Sequence, residues 1–117
     1  MLASIISVHS FAVSPKFRLV NGTAHAGLLE ISVIGYRGGV CADDFGQKEA
    51  DVLCRQFGKL SGVVSRKNFG KFQDIFLEGF TCSGDEKKLL DCIYGGFNDI
   101  NCRTKRQVSL ECYGDGE

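Results

Sequence analysis

The residues of this chain that could take part in the most kinds of chemistry are its six cysteines, because cysteine forms disulfides, binds zinc and acts as a nucleophile. They are Cys41, Cys54, Cys82, Cys92, Cys102 and Cys112. An even number at wide spacing in a chain of 117 residues favours a disulfide framework formed in an oxidising compartment. Six cysteines allow fifteen pairings, and the spacing alone does not choose among them.

Other cysteine chemistry and acid–base catalysis have little support. Zinc sites combine closely spaced cysteine pairs with histidines, whereas this chain has no Cys-x-x-Cys pair and only two histidines. The chain also contains neither a Gly-x-Ser-x-Gly elbow nor a phosphate-binding loop. We interpret the carboxylate pairs Asp43-Asp44 and Asp85-Glu86 as turn and helix-capping residues. We therefore predict that the chain is not an enzyme and has no resident cofactor.

Two groups of basic residues are the remaining candidates for a binding site. The first group lies before the last predicted strand: Arg103, Lys105 and Arg106. The second group lies in a loop: Arg66, Lys67 and Lys71. Such clusters bind polyanions by electrostatic attraction, which salt would weaken. The alternative interpretation is a solvated face, because cationic and acidic residues number 14 each.

Composition limits the architecture and the class of partner. A chain of this length allows one domain. Fifteen glycines, one proline and no tryptophan favour short strands and tight turns over a helical bundle. No apolar run approaches the roughly 18 residues that a membrane-spanning helix needs. Zero net charge favours no class of partner, and we expect no nucleic-acid ligand.

A helix over about residues 47–57 is the strongest secondary-structure signal. Ala50, Leu53, Cys54 and Phe57 form an apolar stripe at helical spacing. Gly58 lies where a glycine ends a helix, since it adopts positive φ without steric cost. Cys54 is therefore placed on a buried face, where an internal cross-link is favoured over exposed catalysis.

Short strands are predicted around this helix. They lie near residues 17–19, 29–33 (half-buried), the segment ending at Cys41, 60–64, 75–77 and 108–112. Between Cys82 and Cys92 we predict a second, short helix that buries two leucines. Ser83 and Glu86 have the spacing of a capping box at its start.

Two features near the N-terminus concern secretion. Residues 1–15 contain an apolar run from Leu2 to Val8 that suits a secretory leader. No Lys or Arg precedes Lys16, however, and Pro15 is unfavourable just after a cleavage point, so a flexible extension stays an alternative. Asn21 begins the triplet Asn-Gly-Thr, an acceptor for N-linked glycosylation if the chain is secreted.

Ordered motifs along most of the chain resemble the scavenger receptor cysteine-rich (SRCR) family. The matching segments are Arg18–Gly22, Gly27–Ile31, Gly38–Cys41, Ala50–Gly58 (ADVLCRQFG), Phe69-Gly70, Ile75–Leu77, Cys82–Glu86 and Asn101-Cys102. The resemblance covers residues 17–113. It leaves residues 1–15 as a leader or extension and residues 114–117 as a polar tail.

The resemblance implies both a fold and a cysteine pairing. The implied fold is α+β: a small disulfide-stapled domain whose curved antiparallel β-sheet cradles one main α-helix, with a short second helix. The implied bridges of the six-cysteine group are Cys41–Cys102, Cys54–Cys112 and Cys82–Cys92. With all six cysteines paired, none is left to act as a nucleophile.

The calcium site of the family is incomplete in this sequence. Members that bind calcium have two acids directly after the first of these cysteines and a glutamate near the fifth. The corresponding residues here are Ala42, Asp43 and Arg106. Asp44 substitutes only in part, and calcium requires several oxygen ligands. We therefore expect a metal site at Asp43 and Asp44 to be weak or absent, with Arg106 paired to Asp43.

The family also has a tryptophan where this chain has Arg37.

The resemblance implies an extracellular, non-enzymatic ligand-binding module of innate immunity, secreted or in a membrane-receptor ectodomain. Its expected ligand is a protein or a polyanionic glycan or microbial surface polymer, bound at Arg103, Lys105 and Arg106. The alternative is an accessory domain of a larger secreted protein, such as a protease or an amine oxidase. A cytosolic thiol protein is a third hypothesis, which free-thiol counting would test.

Overall fold

The computed structural model describes residues 15–95 and 101–115. The predicted leader or extension covers residues 1–15, of which residues 1–14 lie outside the described part. The helix and strands are β1 (Lys16–Val20), β2 (Ala26–Val33), β3 (Tyr36–Val40), α1 (Gln47–Gln56), β4 (Ser61–Val64), β5 (Ile75–Leu77) and β6 (Ser109–Tyr113). A 3-10 turn, Leu89–Asp91, precedes β6.

The strands form one curled sheet in the order β4-β6-β2-β3-β5, and β1 also pairs with β2. The long strand β2 joins the others, because β6 pairs with its first residues and β3 with its last. The described pairings are antiparallel except β3 with β5, which is parallel. The sheet is therefore mixed, unlike the antiparallel sheet expected. The connection between β3 and β5 contains α1 and β4, which is long enough for the chain to return in the same direction.

Helix α1 packs its predicted apolar face against the sheet. Ala50, Leu53 and Cys54 are fully buried, as are Ile31 and Val40 of the facing strands. Strand β2 is buried from Gly27 to Ile31, on both faces of the sheet rather than on the one face expected of a half-buried strand. Within the described residues no helix is long and apolar enough to cross a membrane.

The short second helix predicted between Cys82 and Cys92 is present only as the 3-10 turn Leu89–Asp91. Gly84 has a φ of 113°, which helical backbone does not allow. Lys88 is extended, so the turn begins after it. The predicted contact of Glu86 with Ser83 does form, because its Oε2 accepts the Ser83 N–H at 2.9 Å. The capping residues therefore close a turn rather than a helix.

Candidate functional site

Three disulfides cross-link distant or flanking parts of the domain. Cys41–Cys102, Cys54–Cys112 and Cys82–Cys92 have Cα–Cα distances of 5.7, 5.4 and 4.8 Å. These are the three pairs that the resemblance implies. No cysteine is free, so none offers the thiolate that nucleophilic attack or zinc binding requires.

The Cys41–Cys102 bridge begins a tightly held segment that carries the first basic group. The Asp43 carboxylate accepts the Arg103 N–H at 2.8 Å, the Thr104 N–H at 3.4 Å and the Thr104 hydroxyl. These bonds lower the pKa of Asp43, with the hydroxyl of Thr104 as the largest cause. The Ala42 N–H also donates to the Arg106 carbonyl at 2.8 Å. The backbone of residues 102–106 is thus fixed to the end of β3.

The expected ion pair between Asp43 and Arg106 is wrong. The ion pairs of residues 15–95 and 101–115 do not include one between these side chains. Asp43 instead satisfies main-chain and hydroxyl donors of the same segment. Those donors use most of the acceptor capacity of the Asp43 carboxylate, and Asp44 is exposed at a φ of 65°. The donor set does not fit a calcium cage of several free oxygens.

Two acidic groups lie near disulfide sulfurs without making metal sites. The ligand atoms of Asp43, Cys41 and Cys102 lie within 4.8 Å of one another, as do those of Glu86 with the Cys82–Cys92 pair. Each pair of sulfurs is already joined in a bridge. Each group therefore offers a single carboxylate, too few ligands for a metal ion.

A groove of about 760 Å³ brings the two basic groups together. Its lining includes five cations: Arg66, Lys67, Lys71, Lys105 and Arg106. In sequence these residues form two separate groups, because residues 72–104 lie between Lys71 and Lys105. Arg103 is not among the lining residues, although it belongs to the predicted ligand-binding set. We call this surface the basic groove.

Four of the five cations of the basic groove lack an acidic partner among the described residues. Among residues 15–95 and 101–115, no Asp or Glu lines the groove. Lys67 alone has a nearby carboxylate, because its Nζ lies 3.9 Å from Glu111 Oε1. That carboxylate also accepts the Ser65 hydroxyl at 2.8 Å, which is the main reason that the pKa of Glu111 is lowered. Within the described ranges the other four cations have no carboxylate within 4.0 Å and are exposed.

Hydrogen bonds hold the two walls of the basic groove at a fixed separation. The Ser65 N–H donates to the Ser109 carbonyl at 2.8 Å near the start of the loop. Gln107 bonds the Phe72 backbone twice, accepting its N–H at 2.8 Å and donating to its carbonyl at 2.7 Å. The basic loop is therefore fastened at one end to β6 and at the other to Gln107, which lies just before β6. The groove is formed before any ligand arrives, which reduces the entropic cost of binding.

The predicted glycosylation residue lies beside this groove. Asn21 is exposed in the turn after β1, with a φ of 65°. Its Nδ2 donates to the carbonyl oxygen of Phe69 at 3.2 Å. Phe69 and Gly70 are lining residues of the basic groove.

Comparison with known proteins agrees with the fold and the cysteine pattern. The family model described as "Scavenger receptor cysteine-rich domain" matches residues 20–113. Lysyl oxidase homolog 4 of Mus musculus is 36% identical over 103 residues, covering 84% of this chain and 14% of that protein. The chain thus spans a small part of that relative.

Solved structures give the same result. The third SRCR domain of murine neurotrypsin superimposes with a TM-score of 0.72 at 31% identity, covering 85% of this chain and 96% of that one. The SRCR domain of mouse MARCO, in its dimeric form, gives 0.66 at 29% identity, covering 81% and 92%. From the family match, the shared fold and the three disulfides, we conclude that the chain belongs to the scavenger receptor cysteine-rich domain family.

Proposed function

We propose that this chain is an extracellular, non-catalytic binding module whose basic groove takes polyanions such as sulfated glycans or microbial surface polymers. The observation that carries the proposal is the convergence of five cations on one groove: Arg66, Lys67, Lys71, Lys105 and Arg106. None of the acidic residues that the structure describes lines this groove. A concave surface of one charge sign concentrates the electrostatic field, even on a protein of zero net charge.

The extracellular setting is supported by the family and by the cross-links. SRCR domains are extracellular modules in homologous proteins. Three disulfides in one small domain are typical of oxidising compartments, because cytosolic reductants keep thiols reduced. Secretion of this chain itself is part of the proposal, as is a role in innate immunity.

A second candidate function is that of an accessory module in a larger enzyme. The relatives include lysyl oxidase homolog 4, of which the match covers 14%, and a single SRCR domain of neurotrypsin. In that case the groove would position the larger protein on a polyanionic surface while the chemistry occurs in another domain. The intact mass of the native protein distinguishes the two functions, since the accessory function requires a longer chain.

The test of groove binding is attachment to immobilised heparin, a sulfated polyanion, measured with calcium, with chelator and across salt concentrations. The groove variant combines Lys105→Glu with Arg106→Glu. Its matched control combines Lys87→Glu with Lys88→Glu, which makes the same charge change at exposed residues away from the groove lining. We expect the groove variant to bind about ten-fold more weakly or worse, because each charged contact contributes about 1 kcal/mol or more.

The single variants Lys71→Glu and Arg103→Glu separate the groove from the linear basic cluster. Lys71 lines the groove and Arg103 does not, so in chains produced without N-linked glycans we expect the larger loss from Lys71→Glu. Equal losses in the groove variant and its Lys87/Lys88 control would contradict a localised site. Binding that requires calcium would contradict the conclusion that the surroundings of Asp43 do not fit a calcium ion. Absence of binding in every buffer would overturn polyanion recognition.

A further inference from the structure

Asn21 is joined to the wall of the basic groove. Its Nδ2 lies 3.2 Å from the Phe69 carbonyl oxygen, and a Cβ added to Gly70 would lie 3.7 Å from the same nitrogen. Phe69, Gly70 and Lys71 follow one another along the groove lining. Anything attached to this nitrogen therefore begins at the rim of the groove, next to Lys71.

The turn that carries Asn21 presents a complete acceptor triplet. Residues 21–25 are exposed, and Asn-Gly-Thr at residues 21–23 is the only Asn-x-Ser/Thr triplet in the chain. The middle residue of this triplet must be glycine, because a Cβ on Gly22 would lie 2.1 Å from the Ala26 carbonyl oxygen. The turn therefore determines the shape of the triplet and keeps its asparagine in solvent.

We propose that Asn21 carries an N-linked glycan that covers the Phe69 end of the basic groove and limits access of polyanions to Lys71. The inference rests on the proposed function for its ligand and on passage of the chain through the secretory pathway. In the transfer step, Asn21 Nδ2 forms a bond to the anomeric carbon of a lipid-linked pyrophosphoryl oligosaccharide. The bond from that carbon to the pyrophosphate oxygen breaks, and the amide nitrogen loses one proton; no oxidation or reduction occurs.

The glycan acts on binding by excluded volume at one end of the groove. Its first sugar occupies space beside Phe69 and Gly70, so a long polyanion cannot lie across Lys71 without displacing it. Lys105 and Arg106 belong to a different segment of the lining and stay accessible. The glycan would thus favour ligands that end within the groove over polymers that run through it.

The test compares three proteins secreted from the same mammalian cells: the wild type, Thr23→Ser and Thr23→Ala. Thr23→Ser keeps the triplet and Thr23→Ala removes it, while both keep the Asn21 amide that contacts Phe69. Intact mass with and without a glycosidase gives the occupancy of Asn21. An amine-reactive reagent then measures the labelling rate of Lys71 relative to Lys87, and heparin attachment measures binding.

We expect a glycan on wild type and Thr23→Ser and none on Thr23→Ala. In Thr23→Ala, Lys71 should be labelled about three-fold faster, because no glycan covers it. This variant should also bind long heparin about three-fold more strongly, which is the effect of restoring one exposed ionic contact. Lack of a glycan, or equal Lys71 labelling in all three proteins, would overturn the inference. If Lys71 labelling differs but no form binds heparin, glycan coverage stands and polyanion recognition fails. If Lys71 labelling is equal in all three proteins but heparin binds strongly, polyanion recognition stands and glycan coverage fails.

Discussion

The carboxylate of Glu86 organises the turn that follows Cys82. Its Oε2 accepts the Ser83 N–H at 2.9 Å and its Oε1 accepts the Gly84 N–H at 3.0 Å. These bonds favour the ionised form, so the pKa of Glu86 is lowered from 4.5 to about 2, with the Ser83 backbone bond as the largest cause. A single carboxylate therefore accepts both backbone N–H groups of this turn, and no helical turn forms here.

The stability due to Glu86 should depend on pH. Because its pKa is lower in the folded chain, ionised Glu86 stabilises the fold fully above pH 4.5, and this contribution is lost as the pH falls towards about 2. We expect Glu86→Gln to lower the melting temperature at pH 7 and to change it little near pH 2. Thermal unfolding of both proteins at the two pH values measures this. An equal loss at both would show that the bonds do not depend on ionisation.

Arg37, which departs from the family pattern, has an electrostatic role. Glu30 on β2 is only 3% exposed, and its carboxylate meets Arg18 Nε at 2.6 Å and Arg37 Nη1 at 3.9 Å. A buried charge is costly without partners. The arginine that replaces a family tryptophan thus helps to neutralise a buried acid, which the sequence comparison alone does not indicate.

At the scale of elements, the hairpin between β2 and β3 contains a strained residue. Ile34 and Gly35 form its two-residue turn with φ values of 50° and 83°. Positive φ at both positions is typical of a type I′ turn, which favours Asn-Gly. A β-branched residue is an outlier there, and Ile34 is also 61% exposed.

Replacement of Ile34 by asparagine should therefore stabilise the domain. We expect Ile34→Asn to raise the free energy of unfolding by about 1 kcal/mol, because asparagine tolerates positive φ. Ile93→Asn is the control, since Ile93 is 75% exposed but does not have positive φ. Urea unfolding of both variants gives the comparison. A similar gain for the two would indicate an effect of exposed apolar surface rather than backbone strain.

Helix α1 joins distant parts of the chain through polar side chains that periodicity does not identify. Asp51 accepts the Gly62 N–H at 3.1 Å and Gln47 donates to the Gly62 carbonyl, so both cover the outer edge of β4. Buried Glu49 accepts the Gly46 N–H at 2.9 Å and the Cys82 N–H at 2.8 Å. The apolar stripe predicts the helix, whereas these contacts determine what it fastens.

At the scale of the whole molecule, the disulfides should contribute to stability according to the loops that they close. Cys54–Cys112 spans 58 residues and Cys82–Cys92 spans 10. The chain-entropy relation gives about 4 kcal/mol for the longer loop and about 3 kcal/mol for the shorter one. Double Cys→Ala variants compared by urea unfolding should show this order. A larger loss for the Cys82–Cys92 pair would mean that native packing, not loop closure, dominates.

Charge distribution also belongs to the whole molecule. The chain has 14 cationic and 14 acidic residues, yet within the described part of the chain no acidic residue lines the basic groove. Many of the acids are engaged in structural hydrogen bonds or in turns, as Asp43, Glu49, Asp51 and Glu86 are. Net charge therefore says little about binding, because folding separates the charges.

The sequence by itself determined the elements and the family. Helix α1 ends within one residue of its predicted limit, and β5 has its predicted bounds, because helical periodicity and β-propensity depend on near neighbours. The order of the cysteines and motifs was enough to predict the disulfide-stapled α+β fold. Where a local signal was overruled, as between Cys82 and Cys92, a nearby glycine and a carboxylate formed a competing turn.

Only the tertiary structure decided the parallel pairing of β5 and the union of the two basic groups in one groove. Lys71 and Lys105 are far apart in sequence, and their proximity depends on the bonds of Gln107 to Phe72 and on the Cys41–Cys102 bridge. The position of Asn21 at the rim of that groove depends likewise on its bond to Phe69. Such long-range contacts have no local sequence signal, because they arise only after the strands have paired.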